Sequence, residues 1–346
     1  MTATLSRRAT ARVRSEIPTE GAAPPPADPA ATPAAAPAAE RLRRQFAAVR
    51  VAFTWFGVRK ALSAEQKAQT AEQFGADGGF LSAAKKLLDT KHEAFGRVTA
   101  LRTQIVAYWK GLTLPYPDPG VRLIRQDDVA GFDARMTGFR AELDASVENL
   151  DAHYAQLRTA AADRLGRLYD EADYPPTLRG LFGVEFDFPS VEPPEYLLRL
   201  NPHLYDQERQ RVAARFDEAA RLAEEAFAAE FARLVSHLTQ RLAPGPGGER
   251  KVFRDSAVEN LRAFFGRFRH LSVRGDADLD RLVESAQRAV AGVDAQAVRD
   301  SDALRQHVRA ELASVQASLD GLLIDQPRRR VLRLGRPAGA GEGVRG

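Results

Sequence analysis

From Val129 the apolar positions run Phe132, Met136, Phe139, Leu143, Val147, Leu150, Tyr154, Leu157, Ala161, Leu165 and Leu168. Steps of three and four, averaging about 3.5 residues, mark a helix with one buried stripe. With Asp127 or Asp128 as N-cap and Pro175 beyond the end, the pattern predicts a helix over 127–171. At about 1.5 Å per residue it would be roughly 65 Å long. A second stripe, from Val212 through Phe216, Ala219, Ala223, Phe227 and Phe231 to Leu238, predicts a helix over 205–242. Pro244-Gly245-Pro246-Gly247-Gly248 ends it. Matched lengths and stripes predict that the two form a long antiparallel helical hairpin.

Other periodic segments predict a helix from Ser82 to Trp109 and three C-terminal helices over 255–270, 277–291 and 300–323. Asp255, Asp276 and Ser301 stand where N-caps are wanted. The period changes to two in Val49-Arg50-Val51-Ala52-Phe53-Thr54-Trp55-Phe56, where β-branched and aromatic residues dominate and Gly57 closes the run. Phe46, Val49, Phe53 and Phe56 also fit one face of a helix, but the residue types favour a strand over 49–56, with partners at 121–125 and 183–188. The expected fold is mainly α with a small three-stranded sheet (α+β), a long helical hairpin and a C-terminal helical bundle.

Composition divides the chain further. Residues 21–39 hold six Pro and ten Ala with no bulky apolar side chain, which predicts a disordered tail over 1–40. An α+β segment over 41–126, the hairpin over 127–245, a helical segment over 250–326 and a basic tail over 327–346 complete the organisation. Arg7, Arg8, Arg12 and Arg14 give the start some likeness to an organelle transit peptide. A solvated tail is the simpler reading, and with no apolar leader segment the expected location is cytoplasmic. No run of apolar residues is long enough for a membrane helix.

The formal charge of +4 sits in a tail. Six Arg against Glu342 give 327–346 a charge of +5, residues 1–40 sum to zero, and the body between them carries −1. The chain has no Cys, which removes disulfides, thiolate nucleophiles and the common structural zinc sites.

Catalytic signatures are sparse. Ser82-Ala83-Ala84-Lys85 fits the S-x-x-K pattern in which a Lys activates a Ser hydroxyl, but a Ser at a helix start is first an N-cap. The six His, at 92, 153, 203, 237, 270 and 307, are too far apart for a paired helical metal site. Asp276, Asp278 and Asp280 resemble the opening of a calcium loop without its Gly and terminal Glu, and a capped helix start explains them better. Phosphate-loop and nucleophile-elbow patterns are absent. The expectation is a non-enzymatic protein with no catalytic or metal residues and no cofactor.

One patch invites a nucleic-acid reading. Arg250, Lys251, Arg254, Arg262, Arg267, Arg269 and Arg274 face only Asp255 and Glu259 within 250–274, a balance of +5, with Phe253, Phe264, Phe265 and Phe268 interleaved. Arg328, Arg329 and Arg330 follow in the tail, and Trp55, Arg59 and Lys60 form a candidate exposed corner. The simpler alternative makes the Phe residues core and the Arg residues a solvated face. Residues 127–151 carry the opposite balance of −5, so the two charged segments are candidates to meet within the fold or within an oligomer.

Several short segments occur in a telling order: Trp55-Phe56-Gly57-Val58-Arg59-Lys60, then Ser82-Ala83-Ala84-Lys85-Lys86-Leu87-Leu88-Asp89. Leu114-Pro115 with Gly120–Ile124 follows, then Leu168-Tyr169 with Ala172-Asp173-Tyr174-Pro175, and Phe182–Phe188. Together, over about residues 48–325, they resemble a bacterial and phage family known as domain of unknown function 3150. The resemblance implies partners of the MoxR-type AAA ATPase or von Willebrand factor A class, and it supplies no catalytic residues. The expected function is therefore a helical adaptor or scaffold of phage or mobile-element type. The alternatives are a nucleic-acid-binding protein that uses the basic segment and tail, and a structural component of a phage or mobile element.

Overall fold

The computed structural model describes residues 37–244 and 255–325. The expected N-terminal tail, apart from its last residues, lies outside them, as do the expected basic tail and the candidate contacts Arg250, Lys251, Arg254, Arg328, Arg329 and Arg330.

A short helix, α1 (Ala38–Gln45), leads into the longest strand, β1 (Phe46–Trp55). The alternation seen in the sequence is real. Val49 and Val51 are buried on one face, with Phe53 and Trp55 partly buried beyond them, while Phe46 and Ala48 are buried on the other. The strand begins before Val49 because Phe46, Ala47 and Ala48 pair antiparallel with Arg125, Ile124 and Leu123 of β5 (Val121–Arg125). Along its second half β1 pairs with β6 (Phe182–Asp187), Trp55 opposite Phe182. A fourth strand, β4 (Thr113–Pro115), flanks β5 to give the order β4-β5-β1-β6. The sheet thus has four strands rather than three. The unforeseen one is a three-residue edge, the position in which a Pro such as Pro115 is tolerated.

A separate two-stranded ribbon pairs β2 (Arg59–Ala61) with β3 (Ala84–Lys86) around α2 (Ala64–Glu72). This corrects the expected helix from Ser82. The chain runs as strand and turn until His92, whose ring Nδ1 accepts from the Ala94 N–H at 3.3 Å and starts α3 (Glu93–Gly111). The spacing of Ala84, Leu87 and Leu88 imitates a helix stripe, but pairing with β2 takes precedence over so short a signal.

Two hydrophobic cores lie on opposite faces of the sheet. Val49, Val51, Ile124, Phe182 and Val184 form one with α3, α4 (Val129–Ala152) and α5 (Tyr154–Leu165). Phe46, Leu114 and Leu123 form the other with α7 (Pro202–Leu242), α8 (Asp255–Leu271), α9 (Ala277–Ala289) and α11 (Asp302–Asp325). A six-residue helix, α10 (Ala295–Asp300), joins the last two. The expected hairpin is therefore overturned. The 127–171 stripe packs on α3 and β6, and the 205–242 stripe packs on α1, α8 and α11. A stripe shows that a helix buries one face; it does not say against what.

The 127–171 stripe is also interrupted at His153, without folding back. The His153 N–H bonds the Leu150 carbonyl, three residues back rather than four, and helical bonding resumes when the Leu157 N–H reaches the His153 carbonyl. Tyr154, Leu157 and Ala161 stay in the same core as Phe132 and Leu143. Asp128 stands at the start of α4 but makes no side-chain cap; its carboxylate goes instead to His270 on α8, 2.6 Å away. Among the described residues that contact joins the acidic segment to the basic one.

Beyond Leu165 the chain turns to β6, then enters α6 (Tyr196–Leu200) and α7. Asn201 caps α7, its side chain accepting from the Leu204 N–H, and Pro202 occupies the first turn, where its missing N–H costs nothing. Burial in α7 begins at Val212. The first ten residues of α7 and the whole of α6 therefore carry no fully buried side chain.

Candidate functional site

Four cations face one another across the β2–β3 ribbon, with Arg59 opposite Lys86 and Lys60 opposite Lys85. Like charges directly opposite on a sheet destabilise it, so each pair needs a compensating partner. Side chains alternate along a strand, which sends Lys60 and Lys85 to one face and Arg59 and Lys86 to the other.

The first pair converges on Asp173, at the end of a tight helical turn that Asp170 caps by accepting from the Ala172 N–H. Lys85 places its Nζ 2.6 Å from Asp173 Oδ2 and donates to the Leu168 carbonyl at 2.7 Å, while Lys60 donates to Asp173 Oδ1. Burial pushes the Asp173 carboxyl up. The hydrogen bonds and charges of the two lysines outweigh that and hold it below the ordinary carboxylate value.

Aromatic side chains pack around this node. Tyr169 stacks on Tyr174 with centroids 4.9 Å apart, and Phe182 meets Trp55 edge-on at 4.9 Å. The Tyr154 hydroxyl is buried without a hydrogen-bond partner among the described residues, and burial raises its pKa to about 12. Lys60, Lys85 and Asp173 thus join the segments 55–60, 82–89 and 168–175, and Phe182 reaches the first of them at Trp55.

The second pair, Arg59 and Lys86, is exposed and makes no ion pair among the described residues. Lys86 lines a cleft of about 450 Å³ between the 86–91 loop and α5. Lys91 and Arg164 supply further cations there, and Arg164 donates to Asp89 at 2.7 Å. That bond, with one from the Lys91 N–H, holds the Asp89 carboxyl below its ordinary value.

The remaining candidate contacts separate. Arg262 donates to the Val293 carbonyl at 2.6 Å, and Arg267 pairs with Glu230 of α7. Arg269 and Arg274 are exposed, the latter in a left-handed conformation at φ 49°. Phe264, Phe265 and Phe268 are core residues packed against Phe227 and Phe231. Three of the four expected base-stacking aromatics are therefore not exposed; the fourth, Phe253, lies outside the described residues. At the expected corner Arg59 and Lys60 are exposed, while Trp55 is half-buried against Phe182 and Arg102, whose guanidinium sits 4.7 Å above the indole.

Lys85 is buried against Asp173, so the Ser82–Lys85 pattern does not present an available amine to the Ser hydroxyl. Among the described residues no three His, Asp or Glu lie close enough to hold a metal ion, and no helix is long and apolar enough to cross a membrane. Sequence reasoning missed Asp173 and Asp89 as partners. The opposed Lys–Lys and Arg–Lys register was the available signal, and it becomes visible only once 84–86 is read as a strand. Comparison with family models, curated proteins and solved structures gives no match.

Proposed function

We propose that this chain is a non-catalytic helical adaptor that seats an exposed apolar tip, formed by α6 and the first turns of α7, in an apolar groove of a partner protein. The observation that carries this reading is the exposure of Tyr196, Leu198 and Leu200 on α6 and Leu204 at the start of α7, which are 55%, 52%, 76% and 38% accessible. Isolated exposed apolar residues are ordinary; four within nine residues are the pattern of an interaction site. A short helix with exposed apolar side chains suits the helix-in-groove mode of recognition. The partner class implied by the sequence resemblance is a MoxR-type AAA ATPase or a von Willebrand factor A protein.

The nucleic-acid alternative loses support where Arg262 and Arg267 are engaged within the fold and the neighbouring Phe side chains are core. Titration of single- and double-stranded DNA across a salt series, with and without residues 327–346, tests the choice. The adaptor reading expects weak binding that disappears with the tail. Tight, tail-independent binding with a salt slope of several phosphate contacts would overturn it.

A further inference from the structure

We propose that the cleft between the 86–91 loop and α5 binds a small organic phosphate monoester, with its phosphate held by Lys86, Lys91 and Arg164 and its apolar body resting on α5. This assignment is independent of the adaptor reading, which concerns the tip at α6 and α7.

Three observations lead to it. The first is charge. Three cations and one carboxylate line the cleft, leaving two positive charges, and a phosphate monoester carries about −1.5 to −2 at neutral pH. Arg59 adds a further cation on the Lys86 face of the ribbon. The second is that the Arg59–Lys86 opposition has no compensating acid among the described residues, whereas the Lys60–Lys85 opposition on the reverse face has Asp173. A bound dianion would do for the outer pair what Asp173 does for the inner one.

The third is shape. Leu87, Leu88, Leu157 and Ala161 give the cleft an apolar floor below the charged rim, and Thr90 adds a hydroxyl at its edge. A volume of about 450 Å³ falls in the range of small-molecule pockets, which combine apolar lining with a few convergent polar groups. Arg164 uses one guanidinium nitrogen on Asp89 and keeps other donors for an oxygen ligand. An inorganic anion would meet the rim alone, so an organic body should add affinity.

The test is calorimetric titration of the full chain with phenyl phosphate, inorganic phosphate and phenol. Phenyl phosphate is expected to bind saturably and at least tenfold more tightly than either of the others. Lys86→Gln and Lys91→Gln, both exposed positions, should each weaken it by about tenfold without changing the melting temperature. Asp89→Asn, which leaves the cleft one charge more positive and can still accept from the Lys91 N–H, should tighten binding. Absence of saturable binding, equal affinity for phenyl and inorganic phosphate, or indifference to both Lys variants would overturn the proposal. A phosphoserine peptide binding more tightly than phenyl phosphate would overturn the small-ligand assignment.

Discussion

Lys85 and Asp173 meet inside the protein, ammonium to carboxylate at 2.6 Å, with 5% and 0% of their side chains exposed. Removing one member of such a pair leaves the other charge desolvated and uncompensated, which costs more than the pair itself contributes. Asp173→Asn strips the partner from two lysines at once and is expected to lower unfolding free energy by about 3 kcal/mol. Lys85→Met leaves Asp173 still bound to Lys60 and should cost less. Urea denaturation of the two variants checks the order.

The same carboxyl sets a pH dependence. Its folded value lies below its unfolded one, so its stabilisation is complete above about pH 4, the unfolded carboxylate value, and is lost as pH falls through the folded value. The stability gap between the native chain and Asp173→Asn should stay constant from neutral pH to about pH 5 and close below about pH 4.

Glu224 behaves in the opposite sense. Burial, with Asp276 and Asp280 nearby, raises its carboxyl above the ordinary value. The ionised form therefore destabilises the fold above the folded pKa, and the penalty is relieved as pH falls through it. Glu224→Gln should melt at a higher temperature than the native chain at pH 7, and the two should converge in acid. Thermal scans at several pH values read this directly.

The two cores should behave as separate energetic units. Phe132 is buried against Tyr108 with centroids 5.8 Å apart on one side of the sheet, and Phe231 stacks on Phe264 at 5.2 Å on the other. Each Phe→Ala change should cost about 3–5 kcal/mol. Because they share no partner, the double variant should equal the sum within about 0.5 kcal/mol. Coupling larger than that would show that the sheet transmits packing between its faces.

What was legible in the sequence follows from how local its causes are. Strand β5 was read at its true limits, and Phe132 through Ala161 were read as a buried stripe, because periodicity reports burial directly. The Asp276 and Ser301 caps were legible for the same reason: each accepts from an N–H three residues on. What covers a stripe is decided elsewhere in the chain. Matched length therefore suggested a hairpin, where a sheet lies between the two stripes. Lys85 shows the limit at the site. Its burial depends on a carboxylate in another segment, and the same four residues from Ser82 were consistent with a cap, a catalytic pair or a strand.

The adaptor reading stands or falls on the tip. Replacing Leu200 with the photo-crosslinker p-benzoylphenylalanine, in cells that produce the protein, should trap one discrete protein partner on irradiation. The same replacement at Glu148, exposed on α4, should trap none. Leu198→Asp with Leu204→Asp should abolish the Leu200 adduct while leaving the melting temperature within a few degrees, as exposed positions allow. Equal crosslinking at both positions, or an adduct that survives the paired Asp substitutions, would contradict the assignment.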